Sequence, residues 1–251
     1  MTYEFREPII SQVNDHIWLL DDNHEATMYL VAGTERAMVI DTSIGLCNVR
    51  EVAERLMDLP LICVNTHGHG DHMGGNWCFD KAYMNLADLP IAEESMNWPE
   101  VQEALKKFNL RYPEFEHIED GQNFDLGGLS LEAIYLPGHT PGEIVLLDQK
   151  DRILFSGDGI IEHLWLQLDH SLPVKTQIES MKRLQERRGE FDTILHGHCQ
   201  EPAGAELFDT LLTALIDLDA GNTTDDIDYE WHGNVSKAHP YQPNDRRIVY
   251  K

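Results

Sequence analysis

The sequence lacks the long apolar segments and the cysteine pattern that mark two common classes of protein. No uninterrupted apolar stretch approaches the roughly 20 residues that a membrane-spanning helix needs. The first residues, MTYEFREPIISQV, have neither the basic region nor the apolar region of a signal peptide. The four cysteines form no CxxC pair. We therefore expect a cytoplasmic protein with reduced thiols and without a membrane partner.

Basic residues are also scarce. The 251-residue chain has 19 Lys and Arg against 44 Asp and Glu, which gives a formal net charge of −25 at pH 7. A nucleic-acid backbone is bound by cations that displace its counterions, and a strongly acidic surface repels it. We therefore expect no nucleic-acid partner. Such a charge also keeps a protein soluble whatever its function is.

Apolar residues alternate along the chain between strand-like and helix-like spacing. Short apolar runs predict strands at 29–32, 37–41, 61–65, 129–136, 144–147, 152–156 and 191–195. Helical spacing follows at 49–57 and between Pro202 and Gly221. Thr176 and Glu179 have the spacing of a capping box, which predicts a helix from Thr176 to Gly189. This alternation predicts an α/β fold.

Residues 86–120 interrupt the alternation. Pro90, Pro99 and Pro113 lie around a helical pattern at 100–108. A lid over a site and a plain structural insertion both fit this composition. The chain has no linker, low-complexity segment or internal repeat. We therefore expect one domain over residues 1–251, with a lid or an insertion at 86–120.

The segment NTHGHGDHMGGN concentrates side chains that bind metal ions. His67, His69, Asp71 and His72 lie within six residues, directly after a predicted strand, and glycines separate the first three. Imidazole and carboxylate groups are ligands of zinc, iron and manganese, and glycine lets the backbone approach an ion closely. On an extended backbone His67 and His69 point to the same side. This density of ligands predicts a metal site at the end of the strand.

Further candidate ligands follow three later strands. His139 lies in a PGHTPG turn, Asp158 in SGD, and His198 in HGH, and each is preceded by a glycine. The repeated order of strand and then ligand indicates that these turns meet at one site. His196 lies two residues before His198, so both would face the same way on an extended backbone, and His196 competes as a ligand.

These motifs resemble those of the metallo-β-lactamase superfamily. The resemblance rests on the HxHxDH pattern from His67 to His72, followed in the family's order by PGHTPG, SGD and GH, and it covers residues 65–198. It implies an α/β fold, the four-layer αββα sandwich of the metallo-β-lactamase type, with a dinuclear metal site at one edge. The ligands that it implies are His67, His69 and His139 for the first ion, Asp71, His72 and His198 for the second, and Asp158 as a bridge.

The resemblance implies a metal-dependent hydrolase that uses a metal-activated water. Two divalent ions, with zinc preferred over iron or manganese, would lower the pKa of a bound water to about 7 and polarise the scissile carbonyl. Asp71 would orient this water or carry its proton as the catalytic residue. We expect a small-molecule acyl substrate such as an ester, thioester or lactone. The segment Leu164-Trp165-Leu166 either lines the acyl pocket or packs in the core.

Four other functions remain as alternatives. A β-lactam hydrolase is disfavoured by the missing export signal, and a phosphodiesterase or nuclease by the negative charge. A diiron oxygen or nitric-oxide reductase typically has a carboxylate at the position of His69 and a flavin domain, for which this chain has no length. A non-catalytic binding protein would be expected to have lost ligands, whereas all seven are present here.

Overall fold

Residues 5–243 and 245–251, which this computed structural model describes, form three β-sheets and six α-helices. The first sheet contains, in spatial order, β1 (Ile9–Asn14), β2 (Ile17–Asp21), β3 (Thr27–Ala32), β4 (Ala37–Ile40), β5 (Leu61–Val64), β6 (Lys81–Met84) and β7 (Glu114–His117). The second contains β8 (Asn123–Asp125), β9 (Ser130–Tyr135), β10 (Ile144–Asp148), β11 (Ile153–Gly157), β13 (Thr193–His196) and β14 (Ala203–Gly204). The third contains β12 (His163–Leu166), β17 (Arg246–Tyr250), β16 (Asn234–Tyr241) and β15 (Ile227–Trp231).

The six α-helices are α1 (Val49–Leu56), α2 (Gly70–Met73), α3 (Leu89–Met96), α4 (Pro99–Phe108), α5 (Val174–Gln185) and α6 (Glu206–Asp219). Of these, α1 packs on the outer face of the first sheet, and α5 and α6 pack on that of the second. Among the described residues, none of these helices has both the length and the apolar composition that crossing a bilayer requires.

Alternate side chains of buried strands show how the layers stack. In β4, Met38 packs between the two sheets, whereas Val39 packs in the cluster that contains the apolar face of α1. In β10, Leu146 packs between the sheets, whereas Val145 packs in the cluster formed with α5 and α6. Because side chains alternate across a strand, both strands are buried on both faces. The layers therefore run helix, sheet, sheet, helix, which confirms the predicted αββα sandwich.

Strand direction places the functional turns at one edge of the sandwich. In the first sheet β4 and β5 run parallel, and in the second β11 and β13 run parallel. Turns that follow parallel strands emerge on the same side of a sheet. We call the side reached by the carboxyl ends of β5, β11 and β13 the site edge. β2 points the same way as β4 because each is antiparallel to β3. The starts of β2 and β11 therefore lie at the opposite edge.

The boundaries predicted for one helix are wrong. α5 begins at Val174 rather than at Thr176, directly after Pro173, whose φ of −54° suits the entrance to a helix. It ends at Gln185 rather than at Gly189, because residues Arg188–Glu190 form a separate 3₁₀ turn. Thr176 is therefore inside the first turn and does not cap the helix.

Residues 86–120 combine helices with a strand. The pattern at 100–108 becomes α4, which begins at Pro99, and β7 forms one edge of the first sheet. Ala92 of α3 packs against Met73 of α2, so the segment rests on the loop that carries the HxHxDH motif. Whether it moves as a lid stays a prediction, as does a single domain over residues 1–251.

Candidate metal centre

The structure brings all seven predicted ligands together at the site edge. They form three overlapping groups, and within each group one ligand atom per residue lies within 4.8 Å of the others. The groups are His67, His69 and His139; His67, His72 and Asp158; and Asp71, His72 and His198. His67 and Asp158 follow the buried strands β5 and β11, whose packing fixes the positions of the two turns.

The distances between the candidate ligand atoms suit coordination of the same metal ion. Asp158 Oδ2 lies 3.3 Å from His198 Nε2, and Asp158 Oδ1 lies 3.5 Å from His72 Nε2. Asp71 Oδ2 lies 3.6 Å from His72 Nε2 and 3.5 Å from His198 Nε2. Metal bonds of about 2.1 Å at tetrahedral angles would separate neighbouring ligand atoms by about 3.4 Å. The four side chains are therefore spaced as ligands around a common cation.

Several of these ligand atoms are buried without a partner. The Nε2 atoms of His67 and His72 and the Oδ1 atom of Asp158 form no hydrogen bond within the described residues. Leaving a buried polar atom unpaired costs about 1–3 kcal/mol, so native structures contain few of them. Three such atoms at one place indicate that the residues fit a bound metal.

Hydrogen bonds to the second ring nitrogen orient two of the histidines. His139 Nδ1 donates to the carbonyl oxygen of Trp165 at 2.7 Å, so Nε2 is the nitrogen that faces the other ligands, 3.0 Å from His69 Nδ1. His72 Nδ1 bonds Asp41 Oδ2 at 3.0 Å, and this carboxylate also accepts the Thr66 hydroxyl at 2.7 Å. Such outer partners fix the tautomer of a metal-binding histidine. The Trp165 carbonyl and the Asp41 carboxylate therefore hold the candidate ligands His139 and His72 in position.

Two further buried carboxylates tie the ligand-bearing turns to one another. Asp88 accepts the backbone N–H of Gly68 at 3.0 Å and that of Gly142 at 2.6 Å, so it joins the HxHxDH loop to the PGHTPG turn. Glu143 Oε1 accepts the N–H of Asp158 at 3.0 Å and thereby holds the turn after β11. Burial raises the pKa of both acids.

The three supporting acids, Asp41, Asp88 and Glu143, were not predicted from the sequence. Asp41 follows β4 directly, so the rule of strand and then ligand could have found it. Glu143 comes next after the PGHTPG turn, which is a weaker signal. Asp88 lies in the irregular segment 86–120, where no pattern marks it.

The pKa values divide the histidines into two kinds. Burial lowers the pKa of His67 well below its usual range and that of His69 to about 3, so both are neutral and able to bind a cation. Burial also lowers the pKa of His72 and His198, but the negative charge of Asp158 outweighs this effect. The pKa of His72 is therefore raised, and that of His198 is raised to about 8. Burial favours the acid form of Asp158, yet His198 and His72 hold its pKa well below the usual value.

His196 takes a different role from His198. Its Nδ1 accepts the backbone N–H of His198 at 3.3 Å, and its carbonyl oxygen accepts the Tyr29 hydroxyl at 2.6 Å. Burial lowers its pKa to about 4. His196 thus supports the turn, whereas Nε2 of His198 faces Asp71 and Asp158.

Gly197 fits between two ligands where no side chain has room. A Cβ atom at this position would lie 2.3 Å from Asp158 Oδ1 and 2.5 Å from His72 Cε1. Hydrogen bonds of 2.7 Å to the Gly157 carbonyl and from the Thr27 N–H hold its backbone. The close approach of β13 to the centre therefore depends on a glycine here.

The αββα sandwich and its His/Asp cluster define a metal-dependent hydrolase that binds divalent metal. The chain belongs to the metallo-β-lactamase superfamily, whose family model, described as the metallo-beta-lactamase superfamily, matches residues 22–200.

Individual relatives are similar over different lengths. The acyl-coenzyme A thioesterase MBLAC2 of Homo sapiens is 28% identical over 217 residues, which cover 75% of this chain and 78% of the human protein. The hydroxyacylglutathione hydrolase of Methylococcus capsulatus is 31% identical over 129 residues, 46% of this chain and 45% of that protein. The structure of a metallo-beta-lactamase from Pontibacter korlensis has a TM-score of 0.63 at 18% identity, covering 84% of this chain and all of that one.

Proposed function

We propose that this protein hydrolyses a small thioester at two divalent ions, with zinc as the preferred metal. The proposed ligands are those of the three groups described above: His67, His69 and His139 for one ion, Asp71, His72 and His198 for the other, and Asp158 between them. The observation that carries the proposal is the convergence of buried, unpaired ligand atoms of His67, His72 and Asp158. Mixed imidazole and carboxylate ligands suit zinc, with iron and manganese as alternatives.

The choice of a thioester rests on the relatives. The human protein that matches three quarters of this chain is named as an acyl-coenzyme A thioesterase, and the second relative as a hydrolase of a glutathione thioester. The likeness to solved β-lactamases, at 18% identity, concerns the fold alone. A small thioester also agrees with a net charge of −25, which disfavours polyanionic polymers.

The residues of the chain then divide the work of hydrolysis. Divalent ions bound by these residues would act as a Lewis acid and would lower the pKa of a bound water to about 7. Asp71, whose side chain is 39% exposed, is placed to accept a proton from the attacking water and pass it to solvent or the leaving thiolate. Asp158 supplies negative charge between the two groups of ligands. Cys199 is no nucleophile, since its thiol is buried and donates to the Glu201 carbonyl at 2.7 Å.

A substrate panel tests this function. We expect the zinc-loaded protein to cleave acyl thioesters with a kcat/KM at least about 100-fold above that for β-lactams and phosphodiesters, a difference of about 2.7 kcal/mol in transition-state binding. Carboxylic esters and lactones belong in the same panel. A preference for β-lactams, or efficient cleavage of RNA with thioesters untouched, would contradict the proposal.

The affinity for the ion proposed at Asp71, His72 and His198 is expected to depend on pH. The pKa of His198 is raised to about 8, so below pH 8 an ion must displace a proton from this imidazole. We expect the dissociation constant of this ion to rise about tenfold per pH unit below pH 8 for each imidazole that must lose a proton. Competition with a chromophoric chelator between pH 6 and 9 measures it. Constants that stay flat over this range would refute the assignment of His198.

Trp165 is expected to contribute to binding of the acyl group. Its side chain lies on the face of β12 opposite the buried Leu164 and Leu166, and its ring contacts Trp231 at a centroid distance of 4.9 Å. Its backbone holds His139, so this partly exposed aromatic group adjoins the centre. Trp165→Ala should raise KM for an octanoyl thioester about tenfold, because about 1.4 kcal/mol of apolar contact is lost.

Two control measurements accompany Trp165→Ala: KM for a short acyl substrate and the metal content of the variant. KM for an acetyl thioester should change less than twofold, since this acyl group is too short to cover the ring, and the metals should be retained. Equal increases for both substrates would show that Trp165 does not select the acyl group. A fall in melting temperature without a change in KM would instead assign Trp165 to the core.

A further inference from the structure

A second cluster of potential metal ligands lies at the opposite edge of the sandwich. His16 is in the turn between β1 and β2, Asp148 is the last residue of β10, and Asp151 lies in the turn between β10 and β11. One ligand atom from each residue lies within 4.8 Å of the other two. The cluster therefore brings together a turn of the first sheet and a turn of the second, across the sandwich from the candidate active site.

Two atoms of this cluster are buried without a hydrogen-bond partner in the part of the chain that the structure describes. Asp148 is fully buried, and its Oδ1 accepts the backbone N–H groups of Lys150 and Asp151 at 3.0 and 3.1 Å, whereas its Oδ2 has no partner. His16 Nε2 is also without a hydrogen bond, although it lies 2.6 Å from Asp151 Oδ2. The amide of Asn14 donates to the same Asp151 oxygen at 2.9 Å.

Among the described residues, no Lys or Arg side chain pairs with Asp148 or Asp151. If His16 is neutral, ionised Asp148 and Asp151 carry a formal charge of −2. Burial disfavours this charge at Asp148, because it raises the pKa of that side chain. Lys150 donates instead to the Gly128 carbonyl at 3.2 Å, and Arg152 pairs with Asp192 at 2.9 Å. A protonated His16 would satisfy Asp151 but would leave Asp148 Oδ2 unpaired in the interior.

We propose that His16, Asp148 and Asp151 bind a divalent transition-metal ion that fastens the two sheets together at the opposite edge. One imidazole nitrogen and two carboxylate oxygens, completed by water, form a donor set that suits zinc. Tetrahedral coordination would widen the contact between His16 and Asp151 from 2.6 Å to about 3.4 Å, and both residues lie in turns. Their side chains are 27% and 21% exposed, which gives an ion access from solvent.

The test counts zinc in the holoenzyme after dialysis against buffered zinc. Asp148→Asn is the first variant, because its side-chain oxygen keeps the two backbone hydrogen bonds of the turn while the anionic ligand is lost. We expect one zinc fewer per chain than in the native protein, with kcat and KM changed less than twofold. His24→Gln is the matched control, since His24 pairs with Asp21 at 2.7 Å on the surface without a third ligand, and its zinc count should equal that of the native protein.

Two results would overturn the proposal. Equal zinc counts in the native protein, Asp148→Asn and His16→Gln would show that the cluster is an ion pair beside a turn. A zinc lost together with the catalytic activity would assign that ion to the site edge. If Asp148→Asn does not fold, His16→Gln carries the same comparison, because its side chain is partly exposed and its loss leaves the Asp148 turn intact.

Discussion

Replacement of Asp158 by alanine is expected to lower kcat about a thousandfold or more and to reduce the metal content of the purified protein. This carboxylate lies 3.5 Å from His72 and 3.3 Å from His198, so its loss leaves two groups of ligands facing each other without shared negative charge. Loss of several kcal/mol of charge stabilisation corresponds to this factor in rate. Kinetics on a thioester and elemental analysis of the same sample measure both effects.

The control for this change is another aspartate. Asp169 is exposed and, among the described residues, pairs with Lys251 at 2.8 Å, so Asp169→Ala should keep native activity and metal content. Native metal content and turnover in Asp158→Ala would mean that Asp158 merely shapes the turn after β11. The assignment of the bridging residue would then be wrong.

The second large effect is expected from a single added methyl group. Gly197→Ala would place a Cβ atom 2.3 Å from Asp158 Oδ1, while hydrogen bonds to the Gly157 carbonyl and from Thr27 prevent the backbone from moving away. The ligands must shift instead. A displacement of about 1 Å at a reacting centre costs about 100-fold in rate, and we expect a loss of this size in kcat with weaker metal binding.

A measurement of stability distinguishes displaced ligands in Gly197→Ala from partial unfolding of the protein. Overpacking costs about 1–3 kcal/mol, so Gly197→Ala should remain folded in a thermal melt. Gly189 has no atom near the position of an added Cβ, and Gly189→Ala should keep the native rate. Native kinetics for Gly197→Ala would show that the turn has more freedom than its hydrogen bonds indicate.

The fold and the seven candidate ligands were predictable because both follow from local patterns. Strands such as β5 and β10 are continuous apolar runs, and the candidate ligands lie in glycine-rich turns directly after strands. Their convergence follows from strand direction within each sheet together with the packing of the two sheets face to face. Of the supporting acids, Asp41 follows a strand in the same way, whereas Asp88 has no such pattern because its contacts span long distances along the chain. It contacts Gly142, for example, across 54 residues.

The third sheet was not predicted for a related reason. β15 consists largely of exposed residues, and β16 and β17 mix polar with apolar side chains, so no strict alternation marks them. β12 has four residues and is stabilised by pairing with β17, whose partner residues lie more than 80 positions later. Strands of this length form through tertiary pairing rather than local preference.

The hydrogen bond from His139 to the Trp165 carbonyl makes assembly of the centre depend on the order of synthesis. All seven candidate ligands have been added by residue 198, but β12, which carries this carbonyl, pairs within the described sheets only with β17. A nascent chain therefore holds every candidate ligand before the Trp165 carbonyl is in place to orient the His139 ring. Tight metal uptake at the group of His67, His69 and His139 should therefore follow the synthesis of residues 246–250.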